Sequence, residues 1–297
     1  MTPMLNDLIA IDGRSTTDIW AVGIGADNCS GGDQAAVVHW NGSQWNYLSP
    51  NVCASVDSAL TSVVEFSPAD VWAVGVDEEA GCVGCFIQHD LVLHRNGKTW
   101  TTYQLNQDPF TRGLSAIAGA HADDIWAVGN SVIGRSSSYS LIYHWNGRVW
   151  NGTRVLNPQR FALLNALGVV NGRDVWAVGG QSPPRRPPQP LIMHWNGIQW
   201  NAVAHAPDAT GATLNSVTAV SANDVWAVGS SPSGAHVEHW DGRVWSVVPA
   251  PLPGSLSSLF SIPGTKSVWA VGNYPTQPTD PVSTQSLAAT LGCSNGL

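Results

Sequence analysis

Lysine is almost missing from this chain of 297 residues. Its thirteen basic side chains are eleven arginines and two lysines, set against twenty-one acids for a net charge of −8, and charged residues make up only 11% of the whole. Phosphate-rich partners demand clustered Lys and Arg, so these numbers argue against a nucleic-acid surface. The one basic run, Pro-Pro-Arg-Arg-Pro-Pro at 183–188, reads as a stiff loop with solvated charges. No apolar stretch reaches the roughly eighteen residues that a membrane-spanning helix needs, and no segment has the capped, 3.6-residue periodicity of an amphipathic helix. No signal peptide is visible, because Met1-Thr-Pro-Met-Leu leads straight into an expected strand. Phosphate-cradling glycine loops, a nucleophile elbow and Ser-x-Asp-x-Gly-x-Thr-Trp boxes are all lacking.

Tryptophan, in contrast, is abundant, and all fifteen copies fall on one recurring motif. Asp-Val/Ile-Trp-Ala-Val-Gly, or a close variant, places Trp20, Trp72, Trp126, Trp176, Trp226 and Trp269 at spacings of 52, 54, 50, 50 and 43. Downstream of five of these stand His39, His94, His144, His194 and His239, each followed six residues later by Trp45, Trp100, Trp150, Trp200 or Trp245. In four copies the residue after the histidine is also Trp (Trp40, Trp145, Trp195, Trp240); Arg95 replaces it in the second. A fixed period of this length is the signature of propeller blades.

Short alternating segments bounded by Gly, Asn, Asp and Ser read as strands. The fifth copy shows four of them, at 214–220, 224–229, 236–240 and 244–248. Asn-Gly at 41–42, 96–97, 146–147 and 196–197, and Asp-Gly at 241–242, predict a tight type I′ hairpin joining the third strand to the fourth. The expected fold is therefore all-β: a six-bladed β-propeller of four-stranded antiparallel blades in one domain over 1–297. The units fall at about 5–50, 58–105, 112–157, 162–206, 213–250 and 255–297, and the last lacks its outer strand. A strand edge left open there predicts self-association through the last blade.

A side chain present in every unit serves what every unit needs. The tryptophans are therefore expected to pack blade against blade. The recurrent Asp18, Asp70, Asp124, Asp174 and Asp224 are expected to accept backbone amides in a turn. The histidines, kept apart on separate blades, are expected to make structural hydrogen bonds rather than share a metal.

Function is expected where the units differ, in the loops between second and third strands at 24–35, 76–89, 130–140, 180–190, 230–235 and 273–285. The non-repeated aromatics Phe86, Tyr139 and Tyr274, with the exceptional Arg95, are the candidate ligand-binding residues. Asp27, Asp33, Asp77 and Glu78 are weak calcium candidates, without the ligand spacing of a regular calcium loop. Cys29, Cys53, Cys82 and Cys85 fall in segments on one face of the first two blades. They allow two disulfides, Cys29 to Cys53 and Cys82 to Cys85, or a four-thiolate zinc site, with Cys293 left over. The lysine-poor composition favours the disulfides and an extracellular or cell-surface setting.

The order Val-Trp-Ala-Val-Gly, His-Trp-Asp-Gly, Trp, as in the segment 226–269, resembles tectonin-type repeats and the exported bacterial propellers built from many near-identical blades. The likeness extends over nearly the whole chain. It implies a six-bladed propeller that binds glycans or lipopolysaccharide, and no ligand residue carries over because only the structural repeat matches. No catalytic pair of acids and no tyrosine with an arginine cluster is visible. The sequence thus points to a non-enzymatic binding module without cofactor, recognising a protein or glycan through divergent loops. A tectonin-like lectin and a glycan-cleaving propeller hydrolase stand as alternatives.

Overall fold

The computed structural model describes residues 4–26, 32–50, 52, 56–81, 86–105, 111–133, 137–155, 161–250, 253–262, 264–277 and 280–291. The chain divides into two compact units, Met1–Leu156 and Asn157–Leu297, each of three antiparallel sheets.

In the first unit, blade 1 is β1 (Met4–Ser15), β2 (Asp18–Ala26), β3 (Gln34–Trp40) and β4 (Trp45–Tyr47). Blade 2 is β5 (Ser58–Ser67), β6 (Asp70–Ala80), β7 (Phe86–Asn96) and β8 (Thr99–Gln104). Blade 3 is β9 (Thr111–His121), β10 (Asp124–Ile133), β11 (Ser137–Trp145) and β12 (Trp150–Val155). In the second unit, blade 4 is β13 (Phe161–Asn171), β14 (Asp174–Ser182), β15 (Gln189–Trp195) and β16 (Trp200–Val203). Blade 5 is β17 (Thr213–Ser221), β18 (Asp224–Ser231), β19 (Gly234–Trp240) and β20 (Trp245–Val247). Blade 6 has three strands, β21 (Ser255–Ser261), β22 (Val268–Gln277) and β23 (Asp280–Leu291). Strands pair in chain order within every sheet, so each blade is a meander of hairpins. The repeat therefore sets both the number of blades and the missing outer strand.

The second strand of each blade reads as a buried run because both its faces are covered. In blade 1, Trp20, Val22 and Val37 pack onto Leu60, Val63 and Leu93 of blade 2. The same scheme joins Trp72 and Val74 to Leu114, Ile117 and Trp145 of blade 3. It joins Trp176 and Val178 to Leu214, Val217 and Trp245 of blade 5. It recurs between Trp226 and Val228 of blade 5 and Leu256 and Val268 of blade 6. In these four pairs the earlier blade thus offers a tryptophan and a valine to a leucine-containing socket on the next.

Small polar side chains of the first strands stitch these layers. Ser62 Oγ accepts the Ile117 amide at 3.2 Å, Ser216 Oγ accepts the Leu259 amide at 3.0 Å, and Asn165 Nδ2 donates to the Leu214 carbonyl at 2.8 Å. Their recurrence is thereby explained by blade cohesion, since a buried main-chain group must find a partner.

The hairpins between third and fourth strands depart from the expected type I′ turn. In blades 1, 3, 4 and 5 the Trp pairs Trp40↔Trp45, Trp145↔Trp150, Trp195↔Trp200 and Trp240↔Trp245 close four-residue loops. Only the glycines adopt positive φ, at 84° to 94° for Gly42, Gly147, Gly197 and Gly242. The side chain before each glycine does the rest: Asn196 Oδ1 accepts the amides of Ile198 and Gln199, both at 3.0 Å. Asp241 Oδ1 likewise accepts those of Arg243 and Val244 at 2.8 and 2.9 Å. An Asx side chain that caps two amides needs no left-handed backbone of its own.

Several expected loops are strand. β6 and β7 stay paired out to Ala80↔Phe86, β10 and β11 to Ile133↔Ser137, and β22 and β23 to Gln277↔Asp280. Much of what the sequence marks as loop at 76–89, 130–140 and 273–285 is thus extended hairpin.

Candidate functional site

The conserved spacing of Asp, Trp and His within the repeat builds one local unit, five times over. In each of blades 1 to 5 the aspartate that opens the second strand reaches across to the histidine of the third. Asp18 meets His39 at 2.6 Å, Asp70 meets His94 at 2.9 Å, Asp124 meets His144 at 2.7 Å, Asp174 meets His194 at 2.8 Å, and Asp224 meets His239 at 2.9 Å. Trp20, Trp72 and Trp226 also donate Nε1 to their own aspartates at 3.2, 3.0 and 2.7 Å. Each imidazole lies on the indole of its blade, with centroids 3.9 to 4.2 Å apart. The aspartates are therefore side-chain acceptors rather than turn caps. The sequence carried a signal for this: in blade 6, Ser267 and Thr290 occupy the Asp and His positions, so both residues leave together.

Arg95 turns out to replace a tryptophan in kind. In blades 1, 4 and 5 the indole Nε1 of Trp40, Trp195 and Trp240 donates to the carbonyl of Thr16, Gly172 and Ala222. Arg95 donates to the equivalent carbonyl of Pro68 at 2.8 Å, and its guanidinium lies 4.8 Å from the Trp20 ring. That is a cation–π contact in the place of an aromatic one. Burial lowers the Arg95 pKa while Asp18 raises it.

The loop end of the first unit holds most of the remaining candidates. Asp33 accepts from Asn6 Nδ2 at 2.6 Å, and its amide donates to Asp57 at 2.8 Å. On the long β6–β7 hairpin, Glu78 accepts from Gln88 and Glu79 pairs with His89 at 3.2 Å. Asp77 is pushed up from its usual carboxylate range by burial first; His89 pulls it down and Glu79 pushes it up. Arg112 donates to Gln88 at 3.4 Å. Tyr143 and Thr111 both donate to Asp90 at the hairpin's base, so blade 3 braces it. Among the described residues, no three His, Cys, Asp or Glu side chains converge as a metal cage.

Tyr139 is only 4% exposed, packed in the core between blades 2 and 3 with Arg154 5.1 Å from its ring. It offers no free face for stacking, because the extension of β11 turns it inward. Tyr274 is half-buried on β22 and donates to Gln285 Oε1 at 2.5 Å. Phe86 is paired in β7 with Ala80, and its side chain lies outside the described residues. Asp27 and the five cysteines, Cys29, Cys53, Cys82, Cys85 and Cys293, also lie outside them.

One cluster escaped the sequence reading. Glu65, on β5, is 1% exposed where the other blades carry small or apolar residues. Its pKa is pushed up to about 7, by burial first and then by Asp18 and Asp12, with the Arg14 amide pulling it down. Asp12 accepts the Glu65 amide at 2.7 Å, and burial raises its pKa too. Three acids thus meet at the seam of blades 1 and 2, too deeply sealed for a substrate.

No protein-family model matches this chain, and no curated protein does. Solved structures do. One, YCF48 bound to D1 peptide, is 16% identical with a TM-score of 0.54 over 90% of this chain and 74% of that one. Another, Penicillium chrysogenum alpha-L-arabinanase complexed with arabinobiose, is 9% identical with a TM-score of 0.55 over 91% of this chain and 90% of that one. Together with the six sheets, these likenesses define the class, a six-bladed β-propeller whose last blade has three strands. At such identities they show the fold alone, and function has to be argued from the site.

Proposed function

We propose that this propeller is a non-catalytic protein-binding module, set outside the cell or on its surface, and that the β6–β7 hairpin is its recognition element. The observation that carries this reading is the hairpin itself. It runs five residue pairs past the motif glycine Gly75, against four past Gly129 and Gly272 and two past Gly23. Nothing in the repeat requires that extension, and blade 3 holds it in place through Asp90, Tyr143 and Thr111. Glu78 and Glu79 on it, in a chain of net charge −8, favour a basic peptide segment as the ligand. A propeller of the same fold binds a peptide, which gives the reading a precedent but no residues. A lectin would repeat a polar and aromatic site in several blades, yet the repeated tryptophans and histidines are occupied with each other. The cluster of three acids, Asp12, Asp18 and Glu65, lies at a blade seam with Glu65 buried, which counts against its use on a glycan.

The test is a peptide-array screen of the wild type beside the double variant Glu78→Gln, Glu79→Gln, run in parallel with a glycan array and a hydrolysis assay on plant and bacterial polysaccharides. Basic peptides should bind the wild type and lose about tenfold or more in affinity in the variant. Binding to a sugar class with a silent peptide array would overturn the proposal in favour of the lectin, and polysaccharide cleavage in favour of the hydrolase.

A further inference from the structure

Among the described residues ten positive φ angles belong to glycine, and Arg185, at 61°, is the one residue of another kind. It lies in the Pro-Pro-Arg-Arg-Pro-Pro loop between β14 and β15. The Arg186 amide donates to the Pro183 carbonyl at 3.2 Å, which closes a four-residue turn with Pro184 second and Arg185 third. A positive φ in third place makes this a type II turn, whose second position suits proline and whose third is ordinarily glycine, because a Cβ is strained there. A chain with thirty glycines puts an arginine in that place instead. The backbone gains nothing from the choice, so the reason for it has to be sought in the guanidinium.

The rest of the loop holds both arginines outward on a stiff frame. Pro183 is buried, whereas Pro184, Arg185, Arg186, Pro187 and Pro188 are exposed. The prolines fix φ at their own positions and keep Arg186, which precedes one of them, extended. At the far end the Gly211 amide, on the connector into blade 5, donates to the Pro188 carbonyl at 2.8 Å. Pro232 of blade 5 backs that contact, since a Cβ on Gly211 would stand only 2.8 Å from it. Gln181 Nε2 closes the base on the Pro190 carbonyl at 3.1 Å. All of these residues belong to the second unit. Among the described residues neither guanidinium meets a carboxylate or a hydrogen-bond acceptor.

We infer that the Pro183–Pro188 turn is a docking site for an acidic segment of a partner protein, with Arg185 and Arg186 each pairing with a carboxylate. The planar guanidinium fork matches a carboxylate through two parallel hydrogen bonds, and a backbone already fixed by proline loses little freedom on binding. The class of partner follows from the range of the forces. A nucleic acid or an anionic membrane spreads its charge far beyond two side chains, so the −8 of the whole protein opposes its approach. A short acidic segment lies within about one Debye length of the turn, about 8 Å in physiological salt, and there the local positive pair governs. The site is independent of the β6–β7 hairpin, which belongs to the first unit and whose acids favour the opposite charge.

Fluorescence anisotropy with short labelled peptides graded in Glu and Asp content tests it, beside phosphatidylserine vesicles and a single-stranded oligonucleotide. Affinity for the peptides should rise with their acid content and fall with salt. Arg185→Gly and Arg186→Gln should each weaken it about threefold, and together about tenfold, while Arg148→Gln, an equal loss of charge at an exposed hairpin of blade 3, leaves it unchanged. Arg185→Gly removes the strain along with the charge, so it should melt no lower than wild type. That split, binding lost with stability kept, is what a purely structural arginine would not give. Peptides that fail to bind, or bind regardless of Arg185 and Arg186, or lose as much in Arg148→Gln, overturn the inference. Tighter binding of the vesicles or the oligonucleotide than of any peptide also overturns it, as does a lower melting temperature for Arg185→Gly.

Discussion

A carboxyl group that is buried among other carboxyls makes the fold pay attention to pH at a single residue, and Glu65 is in that position. Its folded pKa is about 7 against a usual 4.5, so the folded state holds the proton more tightly than the unfolded chain. The resulting stabilisation is fully present below pH 4.5 and is lost as the pH rises through 7, by up to about 3 kcal/mol. Glu65→Gln keeps the shape and removes the charge. Urea midpoints measured from pH 4.5 to 8.5 should fall in the wild type and stay nearly level in the variant; parallel curves would refute the assignment. Arg95 makes a second residue-scale case. Because it supplies both the hydrogen bond and the ring contact of a tryptophan, Arg95→Ala should cost about 1–2 kcal/mol, while Arg95→Trp should remain within about 0.5 kcal/mol of wild type by chemical denaturation. Neither role could be read from the sequence alone. The contrast between Arg95 and four tryptophans marked the position as different but could not say that a guanidinium was copying an indole. Glu65 lay in an ordinary alternating strand whose neighbour across the seam comes from another blade, more than forty residues earlier in the chain.

At the scale of the element, what was legible is what the repeat enforces. Strands β17 to β20 fall within two residues of the segments read from alternation in the fifth copy, and the three strands of blade 6 follow from the last unit's lack of a His-Trp-Asn-Gly segment and second tryptophan. The hairpins were harder. Asn-Gly signals a turn in any case, but loop length decides its type, and a four-residue loop lets the Asx side chain hold the amides that a type I′ backbone would otherwise arrange. Asn196→Ala should therefore cost about 1 kcal/mol, the loss of two capping bonds offset by solvation. Asn196→Asp should be tolerated at neutral pH, as Asp241 is in the equivalent loop. The backbone amides of Val244 and Arg243 hold the Asp241 carboxyl below its usual 3.8. That cap contributes above the usual carboxylate pKa and is lost as pH falls through the depressed one. Thermal melts at pH 7 and pH 2.5 should show Asn196→Asp close to wild type at the first and less stable at the second. The long hairpins went unread for a different reason. Divergent composition marks where the repeat stops, and a strand can continue past that point whenever its partner does.

For the whole molecule, the decisive quantities are the surfaces that the repeat leaves unused. A propeller blade is apolar on both faces, so every blade needs two neighbours. The sequence announced an irregular last unit and so suggested association through an open edge, and among the described residues the last sheet ends on β23 with no fourth strand beside it. If copies associate through that edge, association stabilises the folded state alone, by an amount that grows with the logarithm of concentration. It reaches about 2.7 kcal/mol when the free protein stands a hundredfold above its dissociation constant. The melting temperature should accordingly climb with protein concentration in differential scanning calorimetry over a wide dilution series. A curve that stays flat across the series would refute association through the β23 edge, because a pairing that only the folded chain can make has to draw the folding equilibrium with it.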